Sequence, residues 1–114
     1  MAITNTIPEA EVLTLADLIS PAPASITSRI LAKTSGGNVT LFAFDTGQGL
    51  SEHTAPFDAL VMVLDGRLNL TIGGKGMDAG RGTVVRMPAH IPHAVDAVEP
   101  SRMLLTMLRE PKTS

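Results

Sequence analysis

Residues 59–72 read Ala59-Leu-Val-Met-Val-Leu-Asp-Gly-Arg-Leu-Asn-Leu-Thr-Ile72, two aliphatic runs that meet at Asp65-Gly66. The second run, Leu68 to Ile72, alternates apolar and polar residues, the period-2 pattern of a strand with one wet face. The first, Leu60 to Leu64, does not alternate: Ala59/Val61/Val63 make one apolar set and Leu60/Met62/Leu64 the other. Successive side chains of a strand point to opposite faces, so this strand must be covered on both sides. Asp-Gly between two such runs is a turn signal, and Gly66 is expected at a positive φ that a Cβ would resist.

The same punctuation extends in both directions. Ile26 to Lys33 reads as a strand, turned at Ser35-Gly-Gly-Asn38 into a second strand, Val39 to Phe44. Further strands are expected at Thr83–Met87, Ala94–Val98 and Met103–Leu108, separated by glycine and proline corners. Met103-Leu-Leu-Thr-Met-Leu108 is again apolar on both faces. Helical periodicity is confined to Leu13–Ile19, which stops before Pro21 and reads equally as a strand followed by one turn. Many short strands with such corners indicate an all-β sandwich or barrel. In a barrel this small one face fills the interior, and the other needs a second layer or another subunit, so a homodimer is expected.

At 114 residues the chain has the length of one domain, 1–114, and its 44% hydrophobic content is enough to offset the entropy of ordering. The absence of cysteine excludes disulfides, thiolate metal sites and thiol nucleophiles. Neither a signal peptide nor a membrane span fits the N-terminal segment, where Glu9, Glu11 and Asp17 interrupt the apolar residues, so a cytoplasmic protein without a membrane partner is expected. A net charge of −2 with scattered basic residues offers no patch for a run of phosphates, and no nucleic-acid partner is expected. Three Phe without Trp or Tyr leave few platforms for stacking. The glycine-rich stretches Gly73–Gly76 and Gly80–Gly82 lack the phosphate-loop pattern and read as turns, and no G-x-S-x-G elbow is present.

Gly47, His53 and Gly66 fall in register with the pattern G-x5-H-x-H-x3-E-x6-G, and Gly82, Pro88 and His93 with G-x5-P-x-G-x2-H-x3-N. These two stretches, 47–66 and 82–97, resemble the two motifs of the cupin family in order and spacing. The resemblance implies a cupin double-stranded β-helix, or jelly-roll barrel. It also implies an interior site where three His and one Glu hold a transition metal able to activate oxygen or polarise a carbonyl. This chain departs from that set: Ala55 stands where the second His belongs, Ala59 where the Glu belongs, and Ala97 at the terminal Asn. His53 and His93 remain. Two imidazoles alone make a poor metal site, since zinc and iron take three or more protein ligands.

The pocket implied by the resemblance is lined by His53, Ala55, Ala59 and His93. Both histidines read equally as barrel residues paired with each other or with a backbone carbonyl. His90 occupies the glycine position of P-x-G, where a positive φ suits His better than most residues, so a turn role competes with ligation. Asp58 and Glu52 are the nearest carboxylates; Glu52 has the opposite parity to His53, and Asp58 sits in a proline-containing turn where solvation is the ordinary reading. If that turn carries Asp58 inward, His53, His93 and Asp58 form a two-His, one-carboxylate set. Met62, Met87, Met103 and Met107 read as core or as an adaptable lining, and Arg86 as a surface residue or a clamp for a ligand carboxylate.

The leading expectation is a homodimeric protein binding an unknown small molecule, with no confident cofactor and no tightly held metal. The alternative is a metal-dependent enzyme of dioxygenase or isomerase type, using His53, His93 and a non-standard third ligand, His90 or Asp58, on a divalent transition metal. A third is a sensor or partner-binding domain with a vestigial pocket.

Overall fold

The computed structural model describes residues 6–109. Its elements run α1 (Leu15–Leu18), β1 (Ile26–Thr34), β2 (Gly37–Phe44), β3 (Gly49–His53), β4 (Asp58–Asp65), β5 (Arg67–Ile72), β6 (Lys75–Gly80), β7 (Val84–Met87), β8 (His93–Ala97) and β9 (Ser101–Leu108). The strands form two antiparallel sheets, β1-β2-β9-β4-β7 and β3-β8-β5-β6. Non-consecutive strands lie side by side in both, the arrangement of a jelly roll.

Alternation decides which residues meet between the sheets. Ala59, Val61 and Val63 of β4, Met103 and Leu105 of β9, Leu68 and Leu70 of β5, and Val95 and Ala97 of β8 pack into one buried cluster with Phe44, Ala79 and Met87. Each fully buried leucine or phenylalanine there contributes about 1.5–3 kcal/mol through removal of apolar surface from water. Gly66 turns β4 into β5 at φ +80°, and the carbonyl of Pro100 and the hydroxyl of Ser101 lie where a Cβ would stand. That hydroxyl is fully buried, and it accepts the Arg67 N–H at 2.9 Å and lies 2.7 Å from the Glu99 carbonyl, to which it donates.

Leu41 and Ala43 of β2 have no exposed surface although they point away from this cluster. Their cover is the segment preceding β1. The Ile7 N–H donates to the Leu31 carbonyl, and the Arg102 Nε, on the same outer face as Ala43, donates to the Ile19 carbonyl at 2.8 Å. The second layer demanded by strands apolar on both faces is therefore supplied in part by the chain itself. Over β4 the cover is thinner: Leu60, Met62 and Leu64 are half-buried, and Val84, opposite Met62 on the edge strand β7, is 61% exposed.

Three details differ from the sequence-based expectation. The β1–β2 turn is only Ser35-Gly36, and the strand resumes at Gly37. Of the two readings of Leu13–Ile19 the helical one is adopted, as the single turn Leu15–Leu18, with no side-chain cap and no buried residue. Two strands, β3 and β6, were not expected. Lys75-Gly-Met-Asp-Ala-Gly80 carries two glycines and reads as turn, yet it pairs residue by residue with β5 across Gly73-Gly74, at the edge of its sheet, with Ala79 buried. Among the described residues no helix is long and apolar enough to cross a membrane.

Candidate functional site

β3 and β8 run antiparallel, and an irregularity between Leu50 and His53 sets His53 opposite His93. Without that irregularity strand parity would fix a different register, because one residue of slip turns a side chain to the other face. His93 is buried and His53 is exposed, so the pair spans the boundary between the interior and solvent. The rings meet edge to face, with centroids 4.3 Å apart and planes at 68°.

The hydrogen bonds constrain how the rings are protonated. His53 Nδ1 lies 2.7 Å from the Ser51 carbonyl and His93 Nδ1 lies 3.2 Å from the Ile91 carbonyl. A carbonyl only accepts, so each Nδ1 is the donor and each neutral ring presents a bare lone pair at Nε2. The two Nε2 atoms are 3.1 Å apart. Two acceptors at that distance have no proton to share in this tautomer, so together they call for a third group that donates to both. A group that brings two donor hydrogens, such as a primary amine, an amide NH2 or a pair of hydroxyls, gives one to each nitrogen at about 2.8–3.0 Å. Ile72, the register partner of His93 on β5, and Leu50 of β3 are apolar and pack against the buried cluster.

The remaining expected site residues are placed as follows. Ala59 faces the interior, buried, and Ala55 is half-buried in the loop after β3; neither side chain carries a donor atom. His90 adopts φ +66°, the turn role, and its N–H donates to the Ala55 carbonyl at 2.8 Å, fastening the loop before β8 to the loop after β3. Asp58 has the opposite parity to Ala59. Its Oδ1 accepts the Ala89 N–H at 2.8 Å, and its Oδ2 accepts Nε and Nη2 of Arg86 at 2.8 and 2.6 Å. The Ala89 N–H first, and then Arg86, hold this carboxyl below the ordinary carboxylate range. Asp58 is thus a structural clasp between β4 and the loop after β7 rather than a solvated turn residue, and Arg86 is its partner. Glu52 is exposed.

The fit of a resident metal can be judged from the donor set. Among the described residues no three His, Cys, Asp or Glu side chains converge. The dyad offers two nitrogens, one fewer than zinc or iron normally takes from protein, and the side chains at the other two motif positions are methyl groups. The residues present do not fit the four-ligand group implied by the motif.

Sequence reasoning missed Phe57 and Arg109, which line a cleft of about 760 Å³ beyond the barrel wall together with Gly36, Asp58 and Arg86. Phe57 stands beside Pro56 and Asp58 in what reads as a turn, and Arg109 lies beyond the last apolar residue of β9, so no periodicity marks either.

Comparison with known proteins bears on the family. A conserved protein of unknown function from Streptococcus pyogenes is 34% identical, with a TM-score of 0.89 over 98% of both chains. A cupin superfamily protein from Desulfitobacterium hafniense is 28% identical, with a TM-score of 0.86 over 96% of this chain and all of that one, 100%. A cupin 2 conserved barrel domain protein from Leptotrichia buccalis is 35% identical, with a TM-score of 0.82 over 85% of this chain and 47% of its own. A search of curated proteins finds no match. The cupin domain model matches residues 40–108, a span that holds both motifs, most of β2 and the whole of the seven strands from β3 to β9, and by that match the chain belongs to the cupin family.

Proposed function

We propose that this cupin binds a small molecule at the mouth of its barrel, through the His53–His93 dyad and without a tightly held metal. The observation that carries the reading is the pair of Nε2 atoms 3.1 Å apart, each left as an acceptor because its Nδ1 faces a backbone carbonyl. A ligand with two donor hydrogens and an apolar body suits two converging acceptors beside Ile72. The proposed setting is a cytoplasmic homodimer.

Thermal-shift and ligand-observed NMR screening of neutral alcohols, amides and amines tests it. Binders are expected to lose affinity in both His53→Ala and His93→Ala, and to perturb the ring resonances of the two histidines. A binder unaffected by either substitution would place the ligand elsewhere.

A second reading, a metal-dependent enzyme, is favoured by the same distance, because two imidazoles on one ion at about 2.0–2.1 Å place their nitrogens roughly 3 Å apart. Elemental analysis of protein purified without a metal-affinity tag separates the two. Stoichiometric metal that survives chelator treatment would favour the second.

A further inference from the structure

The cleft outside the barrel lies at one end of the five-stranded sheet, between the β1–β2 turn, the loop before β4, the end of β7 and the end of β9. At about 760 Å³ it falls in the range of roughly 300–1,000 Å³ that small organic ligands occupy, far more than an inorganic ion fills. Pro56, Phe57, Ala89 and Leu108 supply apolar lining. Two guanidinium groups, Arg86 and Arg109, face it with one carboxylate, Asp58, so its charge is positive while the chain as a whole carries −2.

The two arginines are held differently. Arg86 gives Nε and Nη2 to Asp58 Oδ2, which leaves Nη1 unused by that ion pair. The guanidinium carbon of Arg109 lies 4.9 Å from the centroid of the Phe57 ring, and its backbone N–H is tied to the Gly36 carbonyl at 2.7 Å. A cation–π contact with the ring uses none of the guanidinium's N–H donors, which stay available to fork onto a carboxylate. An aromatic ring against one guanidinium, a second guanidinium lining the same cleft and an apolar wall are the parts of an organic-anion site. Asp58 offsets one of the two positive charges, which suits a monoanion better than a dianion.

We propose that this cleft is a second binding site, for a small organic monocarboxylate whose carboxylate meets Arg109 and Arg86 and whose apolar body lies against Phe57 and Leu108. It is separate from the histidine dyad: neither His53 nor His93 lines it.

The test is a backbone-amide NMR titration of the full chain with benzoate, with benzamide as its neutral counterpart and phenyl phosphate as the dianionic one. Benzoate is expected to shift the amides of Gly36, Phe57, Ala89, Leu108 and Arg109 at millimolar concentration, more tightly than either comparator. Arg109→Gln should weaken benzoate roughly tenfold, the worth of one charge-assisted contact. Phe57→Leu, which keeps apolar bulk but removes the ring under Arg109, should weaken it as well, while His93→Ala leaves it unchanged. Absence of cleft shifts with benzoate, equal shifts with benzamide, or an affinity indifferent to Arg109→Gln would each overturn the proposal. Tighter binding of phenyl phosphate would overturn the assignment to a carboxylate. Shifts confined to His53 and His93 would return the ligand to the barrel mouth.

Discussion

At the scale of single residues the motif positions divide into those that shape the backbone and those that carry chemistry. Gly66 belongs to the first kind: its φ of +80° and the Ser101 hydroxyl, which stands where a Cβ would be, make Gly66→Val costly twice over. Urea denaturation should show a loss of about 2–5 kcal/mol, strain and overpacking together. His90 is the milder case, since its φ of +66° is strained for any residue with a Cβ. His90→Gly should leave stability unchanged or raise it by up to about 1 kcal/mol in the same assay. Ala55 and Ala59 belong to the second kind. If methyl groups at these positions are what leave the dyad short of ligands, Ala55→His with Ala59→Glu should bind nickel, zinc or manganese far more tightly than the parent. Calorimetry and a metal-dependent rise in Tm report it. A folded double variant with no gain would mean these two side chains do not converge on the dyad. The sequence made Gly66 and His90 legible because a required φ follows from local turn chemistry. The facing of His53 and His93 was legible only as a possibility, since it depends on an irregularity in β3 that no local pattern announces.

At the scale of elements, strands rich in aliphatic residues were readable and the polar ones were not. Leu68–Ile72 and Met103–Leu108 declare themselves because burial on a sheet face imposes period 2. β3, with Leu50 as its single large apolar residue, and β6, with its glycines, are strands because neighbours pair with them. Tertiary pairing also explains Asp58, which fastens the start of β4 to the loop after β7 through the Ala89 N–H and Arg86. A carboxyl whose folded pKa lies below its unfolded value contributes stability above the unfolded value, and that contribution is lost as pH falls through the folded one. The clasp should therefore hold through the ordinary carboxylate range and open only at more acidic pH, where amide exchange at Ala89 should accelerate ahead of the core. In Asp58→Asn the Ala89 amide should exchange faster at neutral pH, with less further change on acidification. Exchange at Ala89 that is flat from neutral to acidic pH in the parent would contradict the clasp.

For the whole molecule, the expectation of a second layer over the outer sheet face was sound, and its source was not legible. The segment before β1 has no regular pattern, so nothing in it announced that it would cover Leu41 and Ala43. The half-buried Leu60, Met62 and Leu64 with the exposed Val84 remain the surface on which a second copy is proposed to sit. Light scattering should give about twice the 11.9 kDa of the chain, and Met62→Lys should shift the mass toward monomer. A monomer mass across micromolar concentrations would sink the dimer. Strand order itself could not be read from the residues, and it has a consequence for how the protein is made. β9 is the last of the described strands and lies in the middle of its sheet, between β2 and β4, whereas β3, β8, β5 and β6 are all present once Ala97 has been synthesised. One sheet can thus pair fully on a growing chain while the other waits, with β2 and β4 holding open the gap between them, until Leu108 has been added. A nascent chain halted between these two points would carry that unfilled gap as a sticky, strand-sized vacancy, the stage at which a chaperone or a neighbouring polysome's chain would compete with β9 for its place.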